Sequence, residues 1–210
     1  NLKRVGALWK FKAIGYDVVG VDASPEMLRR AMCHNFKTVL GTLPRSPFNR
    51  HLQFDAAAVP FAVLGYVGTT NQLLIDSLKT IRRHLFRGGR LVFDVVHAIA
   101  AARDLREKEK KTARMGQRSL VEDRRKSFSA SRGVIDIECT FTVSEKGQPA
   151  EIWEEQHSIR VFSEQELRLA LAGSGFRSLQ FFAPWGCRQP GAAEQIWLDD
   201  WCLMVVAEAV

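Results

Sequence analysis

The sequence lacks the features that mark a membrane or secreted protein. Its longest apolar stretches, such as residues 54–67, are shorter than the roughly 20 residues that a helix needs to cross a bilayer. The beginning of the sequence has no basic segment followed by an apolar one, as a secretory leader would have. These absences predict a cytoplasmic protein without a membrane span.

Cysteine is scarce, and its spacing argues against metal or redox chemistry. The four cysteines stand at positions 33, 139, 187 and 202, without the paired spacing of zinc sites or redox motifs. We expect reduced, mostly buried thiols and no metal site. Internal repeats and low-complexity tracts are also absent, and the 46% hydrophobic and 25% charged content is typical of a chain with one core. A single domain over residues 1–210 is the prediction.

Aromatic residues are missing from the most basic parts of the sequence. The formal charge is +7, and basic residues are concentrated in residues 103–114, a stretch that we predict to be helical, and again at 124–126. A surface that stacks on nucleic-acid bases would interleave aromatic side chains with these charges. A solvated charged face is therefore the favoured interpretation, and a nucleic-acid partner the less favoured one.

The first half of the sequence alternates patterns of strands and helices. Residues 1–15 have the spacing of an amphipathic helix that a glycine ends, and residues 17–22 are a β-branched run. Ser24, Pro25 and Glu26 then supply the capping side chain, proline and acid that begin a helix. Further strands are predicted over 36–41, 54–63 and 90–96 and a helix over 73–86, and the apolar run 54–63 is typical of a strand buried on both faces. The alternation predicts an α/β, Rossmann-like, doubly wound fold with a mostly parallel sheet.

The pattern changes after residue 97. A polar stretch is followed by three runs with partial two-residue alternation, residues 119–128, 134–143 and 152–162, which are joined by turn signals. They predict an antiparallel β insertion over residues 98–162, which would act as a lid and contact the substrate. Ser163 and Glu166 form a capping box for a following helix, and strands over 176–182 and 201–207 complete the pattern.

An acidic residue ends the first predicted strand. In an open parallel sheet, ligands bind beyond the carboxyl ends of the strands, so Asp22 is the first candidate for a binding residue. Its carboxylate can accept hydrogen bonds from both hydroxyls of an adenosine ribose, while the backbone of Ala23 and Ser24 passes close to the adenine. The alternative is that Asp22 only caps the next helix.

Several segments, taken in order, resemble the class I S-adenosylmethionine-dependent methyltransferases. They are GYDVVGVDASPEML from Gly15, FDA from Phe54, LGY from Leu64 and LFRGGRLVFD from Leu85. The segments EQH from Glu155 and RVFS from Arg160 are similar to the lid of the small-molecule N-methyltransferase-like branch. The resemblance implies S-adenosyl-L-methionine as the cofactor and a small molecule as the methyl acceptor.

The resemblance also implies roles for individual residues. Asp22 holds the ribose hydroxyls, and Ala23 and Ser24 line the adenine. Thr42 and Leu43 stand where the family has an acid and its neighbour beside the adenine amine. The apolar residues beside the methionine moiety, where the family often has polar groups, are Val59, Pro60 and Phe61.

Methyl transfer needs alignment and exclusion of water more than it needs a base. Tyr66 and His97 follow neighbouring strands and are the candidates for orienting the acceptor or taking its proton. Tyr66 could equally be a packed lid residue, and His97 could only flank a helix. Glu155 and His157 share one face of a predicted strand, which allows either substrate contact or a structural polar pair.

The family's glycine-rich turn has no counterpart in the sequence. Asn1, Lys3 and Val5 stand where glycines would let the backbone approach the cofactor closely. Either a segment with this motif precedes Asn1, or the motif has been lost, which would leave apolar sheet edges to be covered. A non-catalytic binding protein with this fold and an RNA methyltransferase are therefore the alternatives to a small-molecule methyltransferase.

Overall fold

A computed structural model describes residues 10–145, 147–182 and 202–210. The predictions for residues 1–9, which include Asn1, Lys3 and Val5, and for Cys187 and Trp201 lie outside the described residues. The chain forms two compact units, Asn1–Gln53 and Phe54–Val210, named here the first and second units. The single domain over 1–210 and the substrate role of 98–162 stay predictions. Among the helices of the described ranges, none is both long and apolar enough to cross a bilayer.

The first unit is a strand, helix and strand. Residues 10–13 are helical and precede Gly15, which has a φ of +95°. Strand β1 (Val19–Asp22) leads into helix α1 (Pro25–Met32), and β2 (Lys37–Leu40) returns parallel to β1. The Ser24 side chain caps α1 by accepting the Met27 N–H at 3.3 Å, as the sequence predicts. Ala31 and Phe36 are buried together, with Met27 packed against them.

The second unit contains a mixed sheet of eight strands. Strand β3 (Phe54–Val59) lies parallel to the long β4 (Leu85–His97), and between them the chain forms helices α2 (Val63–Val67) and α3 (Asn71–Arg83). Helix α4 (Ala98–Asp104) follows β4. The last elements are α5 (Glu164–Ala172), β9 (Phe176–Phe182) and β10 (Cys202–Ala209), and β10 is antiparallel to both β4 and β9.

One part of the core of the second unit lies on one face of this sheet. Alternate residues of β4 and β10, among them Leu91, Phe93, Leu203 and Val205, are buried completely or almost so. The apolar stripes of α3 and α5 pack in the same core, with Leu74, Leu78, Leu167 and Leu171 at most 2% exposed. The helix predicted over 73–86 ends earlier, because residues 85 and 86 already belong to β4.

The antiparallel insertion has four strands, one more than the sequence predicts. They are β5 (Lys108–Met115), β6 (Arg118–Ser129), β7 (Val134–Glu145) and β8 (Glu151–Phe162), paired in chain order and named here the insertion sheet. The prediction of a helix over 103–114 is wrong beyond Asp104. A strand of mostly charged residues forms there because each of its residues pairs with β6.

Strand β3 also differs from its prediction. The apolar run predicts burial on both faces, but Asp55, Ala56 and Ala58 are exposed. Among the described residues, β3 pairs with one neighbour, β4. Its apolar composition therefore does not reflect burial within the described structure.

Candidate active site

In the first unit, the predicted nucleoside-binding residues come together at the carboxyl ends of the two parallel strands. Asp22 ends β1, and Gly41 and Thr42 follow β2. Because the strands are parallel, their carboxyl ends lie side by side, and the Gly41 N–H donates to the Asp22 carbonyl at 3.1 Å. Asp22, Ala23, Ser24, Thr42 and Leu43 thus occupy adjoining turns.

The Asp22 side chain is held in place by the turn that follows it. Its Oδ1 atom accepts the Ser24 N–H at 2.8 Å, while Ser24 itself caps α1. Asp22 is therefore not the N-cap of this helix. In the described part of the chain, the Oδ2 atom has no hydrogen-bond partner, so the half-buried carboxylate keeps acceptor capacity.

Thr42 and Leu43 form the turn after β2. Thr42 is exposed, and its hydroxyl donates to the Leu43 carbonyl at 3.3 Å. The same residue forms an isolated bridge with Arg45. The Thr42 hydroxyl oxygen can still accept a hydrogen bond, since a hydroxyl has acceptor capacity after it has donated.

In the second unit, the turn after β3 has a strained backbone. Phe61 and Ala62 follow Pro60 and have φ values of +68° and +53°, although neither is a glycine. Two consecutive left-handed residues of this kind cost of the order of 1–3 kcal/mol each, so contacts elsewhere must hold them. Val59 and Pro60 are half-buried, and Phe61 is exposed.

Asp94 of β4 holds this turn. Its Oδ2 atom accepts the Ala62 N–H at 3.1 Å, and the Phe61 amide also hydrogen-bonds to the carboxylate. Burial raises the pKa of Asp94, and these backbone hydrogen bonds oppose the rise only in part. The sequence predicts no role for Asp94, whose one signal is an acid near the carboxyl end of an apolar strand.

Helix α2 places Tyr66 against the insertion sheet. The helix lies over β8, where Gly65 leaves no room for a side chain. The next residue, Tyr66, is 41% exposed, and its ring meets the His157 ring edge-on with a centroid separation of 6.3 Å. The structure therefore brings together Tyr66 and His157.

His157 in turn contacts Glu155. Its Nε2 atom lies 3.1 Å from the Glu155 carboxylate, and both side chains are more than 40% exposed. The Glu155 and His157 pair considered in the sequence therefore exists as a hydrogen-bonded pair along one strand. A carboxylate on one ring nitrogen favours the tautomer that leaves the other nitrogen unprotonated, which is the form that can accept a proton.

His97 lies in a different environment from Tyr66. It ends β4 on the same strand face as Phe93 and Val95, and it is 5% exposed. It precedes α4 as the N-cap residue without a side-chain capping bond, and it pairs with Phe162 of β8. A catalytic role for His97 stays a prediction.

A buried arginine fixes the second unit around α2. Arg160 of β8 donates to the Gly68 carbonyl at 3.2 Å and also bonds the Asn71 and Glu166 side chains. These contacts join β8 to the beginnings of α3 and α5. The sequence has no signal for this structural role of Arg160, except that Arg160 belongs to one of the segments that resemble the methyltransferase family.

The face of the insertion sheet on which α2 lies is named here the inner face. Along β8 it carries Trp153, Glu155, His157 and Ile159, since alternate residues share a face. On β5 and β6 the inner-face charges are paired, Glu109 with Lys126 at 2.8 Å and Glu122 with Arg124. The two lysines beside Glu109, Lys111 and Lys126, lower its pKa to about 2.

Solved structures of known proteins have the same fold. One is a methyltransferase from Clostridium acetobutylicum that depends on S-adenosylmethionine, with a TM-score of 0.74 and 15% identity over 92% of this chain and 75% of that one. The fold is that of the S-adenosylmethionine-dependent methyltransferases. No protein-family model matches the sequence, and no curated protein does.

Two further methyltransferases of this fold act on sugars. An amino pentose methyltransferase from Micromonospora echinaspora has a TM-score of 0.71 and 19% identity over 98% of this chain and 80% of that one. A sugar N-methyltransferase from Streptoalloteichus has a TM-score of 0.70 and 18% identity over 91% of this chain and 70% of that one. The α/β methyltransferase fold predicted from the sequence is confirmed.

The described residues contain no cluster of three or more His, Cys, Asp or Glu side chains that could hold a metal ion. The candidate binding and catalytic side chains form two sets, one at the ends of β1 and β2 and the other around Tyr66. Sequence reasoning missed the second set in part, because Trp153 and its stacking partner Phe141 meet only through strand pairing.

Proposed function

We propose that this protein is an S-adenosylmethionine-dependent methyltransferase that transfers a methyl group to a small-molecule acceptor. The observation that carries the proposal is the Asp22 carboxylate at the end of β1, oriented by the Ser24 N–H at 2.8 Å and with its second oxygen still able to accept. The fold supports it, because solved proteins of this fold are methyltransferases.

In the first unit, Asp22 would hold the ribose of the cofactor. A carboxylate that accepts two hydroxyl groups is a strong and geometrically specific acceptor. Ala23 and Ser24 would line the adenine, and Thr42 and Leu43 would contact its edge through the Thr42 hydroxyl. Because Thr42 replaces an acid, this second contact would be weaker than in the rest of the family.

In the second unit, the turn of Val59, Pro60 and Phe61 would flank the methionine part of the cofactor. Asp94 would keep this turn in its strained conformation, which is a positioning role. The bound cofactor supplies a methyl group that its sulfonium sulfur already activates. Tyr66 would orient the acceptor, and the imidazole of His157, whose ring contacts Tyr66, would take the proton that the acceptor loses.

The charges of the insertion sheet favour a small acceptor over RNA. Arg118, Arg124 and Lys126 all have carboxylate partners within 3 Å. A cation that is already paired has less charge to offer a phosphate backbone. This pairing weighs against a nucleic-acid partner for these three residues.

Binding of S-adenosylhomocysteine to the full chain, measured by isothermal titration calorimetry, tests the proposal. Asp22→Asn is expected to lower the affinity roughly tenfold to hundredfold, because it removes a charged acceptor of two hydrogen bonds. Asp17→Asn is the matched control, since Asp17 lies just before β1, is exposed and pairs with Lys37 at 2.7 Å. Its affinity is expected to be unchanged.

Other outcomes would reject the proposal or a part of it. If the unchanged protein gives no heat of binding, the proposed enzyme function is rejected, and the alternative of a non-catalytic binding protein with this fold remains. Equal affinities for the Asp22→Asn variant and the unchanged protein would show that this carboxylate does not hold the ribose.

A further inference from the structure

Helix α2 depends on contacts from outside itself. It has only five residues, Val63–Val67, with no charged side chain among them, and in the described structure no side chain caps its beginning. A helix of this length is unstable by itself, so its position depends on the elements around it. The same contacts also place Tyr66, which α2 carries against His157.

The beginning of α2 is held by Asp94 of β4. The Asp94 carboxylate accepts the N–H of Ala62, the residue that precedes the helix, at 3.1 Å. The N–H groups at the beginning of a helix have no partner within the helix, and a carboxylate is the acceptor that suits them. Asp94 therefore fixes the beginning of α2 together with the strained turn before it.

The end of α2 is held by Arg160 of β8. The guanidinium donates to the carbonyl of Gly68, the residue that follows the helix, at 3.2 Å. It also lies over the Phe162 ring, with 5.2 Å to the ring centroid, which limits its orientation. A cation suits this place, because the last carbonyl groups of a helix have no donor within the helix.

Glu166 keeps the guanidinium of Arg160 beside α2. The Ser163 hydroxyl accepts the Glu166 N–H at 3.3 Å, which fixes the backbone of Glu166 in the first turn of α5, and its carboxylate bonds Arg160. The Arg160 side chain is only 10% exposed, and a buried cation is costly unless a carboxylate offsets its charge. The pair therefore holds the Arg160 donors at the end of α2.

The two anchors come from neighbouring strands. Strands β4 and β8 pair in parallel near their ends, and Asp94 stands two residues and Arg160 one residue before the first paired position. Between these anchors, Gly65 lies directly on β8. Helix α2 is thus held at its beginning, its middle and its end, and Tyr66 follows Gly65 in the chain.

We propose that Asp94 and Arg160 are positioning residues that act together on Tyr66. By fixing both ends of α2, they set the Tyr66 ring against the His157 imidazole. The inference rests on the proposed function only for the use of this contact in methyl transfer. A displacement of about 1 Å in a group that orients a substrate can slow a reaction roughly hundredfold, so the two anchors would affect the rate through Tyr66.

Nuclear magnetic resonance of the full chain without cofactor tests the placement of Tyr66. The sequence has two tyrosines and five histidines, so labelled rings give few signals, and the variants Tyr66→Leu and His157→Gln identify the two that matter. Because the two rings meet edge-on at 6.3 Å, we expect a nuclear Overhauser effect between their protons in the unchanged protein. If it is missing there, the inference is overturned.

Asp94→Ala and Arg160→Met should each abolish this effect. Asp94→Asn, which keeps an oxygen for the Ala62 amide, should retain it. Arg82→Met is the matched control for a loss of stability alone. Arg82 also donates to backbone carbonyls, two of them at 3.1 and 3.2 Å, but it does so from the last turn of α3. The control should retain the effect while its stability falls.

Three results would contradict the inference. An effect that survives both Asp94→Ala and Arg160→Met would show that other contacts place Tyr66. Loss of the effect in only one of these variants would reject the joint action of the two residues. Loss in Arg82→Met as well would make the change a consequence of lower stability.

Substitutes decide the matter if a variant does not fold. Asp94→Ser replaces Asp94→Ala, and Arg160→Lys replaces Arg160→Met, because each keeps a polar group but loses the reach or the fork of the original side chain. Each should weaken the effect, and an unchanged effect would overturn the inference. If S-adenosylhomocysteine does not bind the protein, the proposed function fails, while this measurement, which uses no cofactor, still tests the anchors.

Discussion

Gly65 of α2 packs so closely on β8 that a Cβ atom at this position would lie 2.8 Å from both Ile159 Cγ1 and the Arg160 carbonyl oxygen. The contact sets the distance between the helix that carries Tyr66 and the strand that carries His157. Because one of the atoms belongs to the backbone, a side chain could be accommodated only by moving α2 or β8.

Gly65→Ala is therefore expected to destabilise the protein by about 2 kcal/mol, as overpacking in a close contact does. Urea unfolding measures the change. Gly173→Ala is the control, since Gly173 has a φ of −68° and its added Cβ would meet nothing closer than 3.4 Å. An equal loss of stability in both variants would contradict the assigned packing role.

A second prediction concerns the buried arginine. Arg160→Met should lower the free energy of unfolding by about 2 kcal/mol, because it leaves Glu166 and the Gly68 carbonyl without their donor. Arg118→Met removes an arginine from an exposed pair with Glu145 and should cost less than about 1 kcal/mol. Thermal or urea unfolding measures the loss of stability in the two variants. Similar losses would contradict the assigned structural role of Arg160.

The elements with strong local signals could be predicted from the sequence. The β-branched run before Asp22 and the Ser24 cap are signals of this kind, and the structure has β1 and α1 there. Strand β5 has no such signal, because its residues are mostly charged and only pairing with β6 makes it a strand. Local propensity favoured a helix, and tertiary pairing determined the outcome.

The residues of the candidate site can likewise be divided into those with a local sequence signal and those without one. Asp22 could be found because its position follows from one strand and one turn. The support of Phe61 and Ala62 by Asp94 joins residues 32 positions apart, and the stack of Phe141 on Trp153 depends on strand register. Neither contact has a signal in a single stretch of sequence.

A third prediction uses the Glu109 carboxylate. Its pKa is lowered from 4.5 to about 2 by Lys126 and Lys111. A lowered folded-state pKa means that the group stabilises the fold above pH 4.5 and that this contribution is lost as the pH falls toward 2. The melting temperature of Glu109→Gln should therefore lie below that of the unchanged protein at pH 6, and the difference should shrink on acidification. Because the pair is partly exposed, the difference should also shrink in 1 M salt, and a constant gap would contradict the assignment.

The last prediction concerns the carboxylate that holds the turn after β3. Burial raises the pKa of Asp94 above 3.8, and the charge of Asp94 together with burial raises the pKa of the neighbouring Cys202 thiol. A raised folded-state pKa means that the folded protein binds the proton more tightly than the unfolded chain, so this contribution to stability is present below pH 3.8 and is lost as the pH rises through the folded-state pKa.

Asp94→Asn keeps an oxygen that can accept the Phe61 and Ala62 amides but cannot ionise. The free energy of unfolding of the unchanged protein relative to Asp94→Asn should therefore fall as the pH rises through the range just above 3.8 and then stay constant. Urea unfolding at a series of pH values measures this difference, and a difference that rises with pH would show that Asp94 is stabilised in its charged form. Asp94→Ala, which removes the acceptor altogether, should lose more stability than Asp94→Asn at every pH, because the two strained residues would then have no partner for their amides.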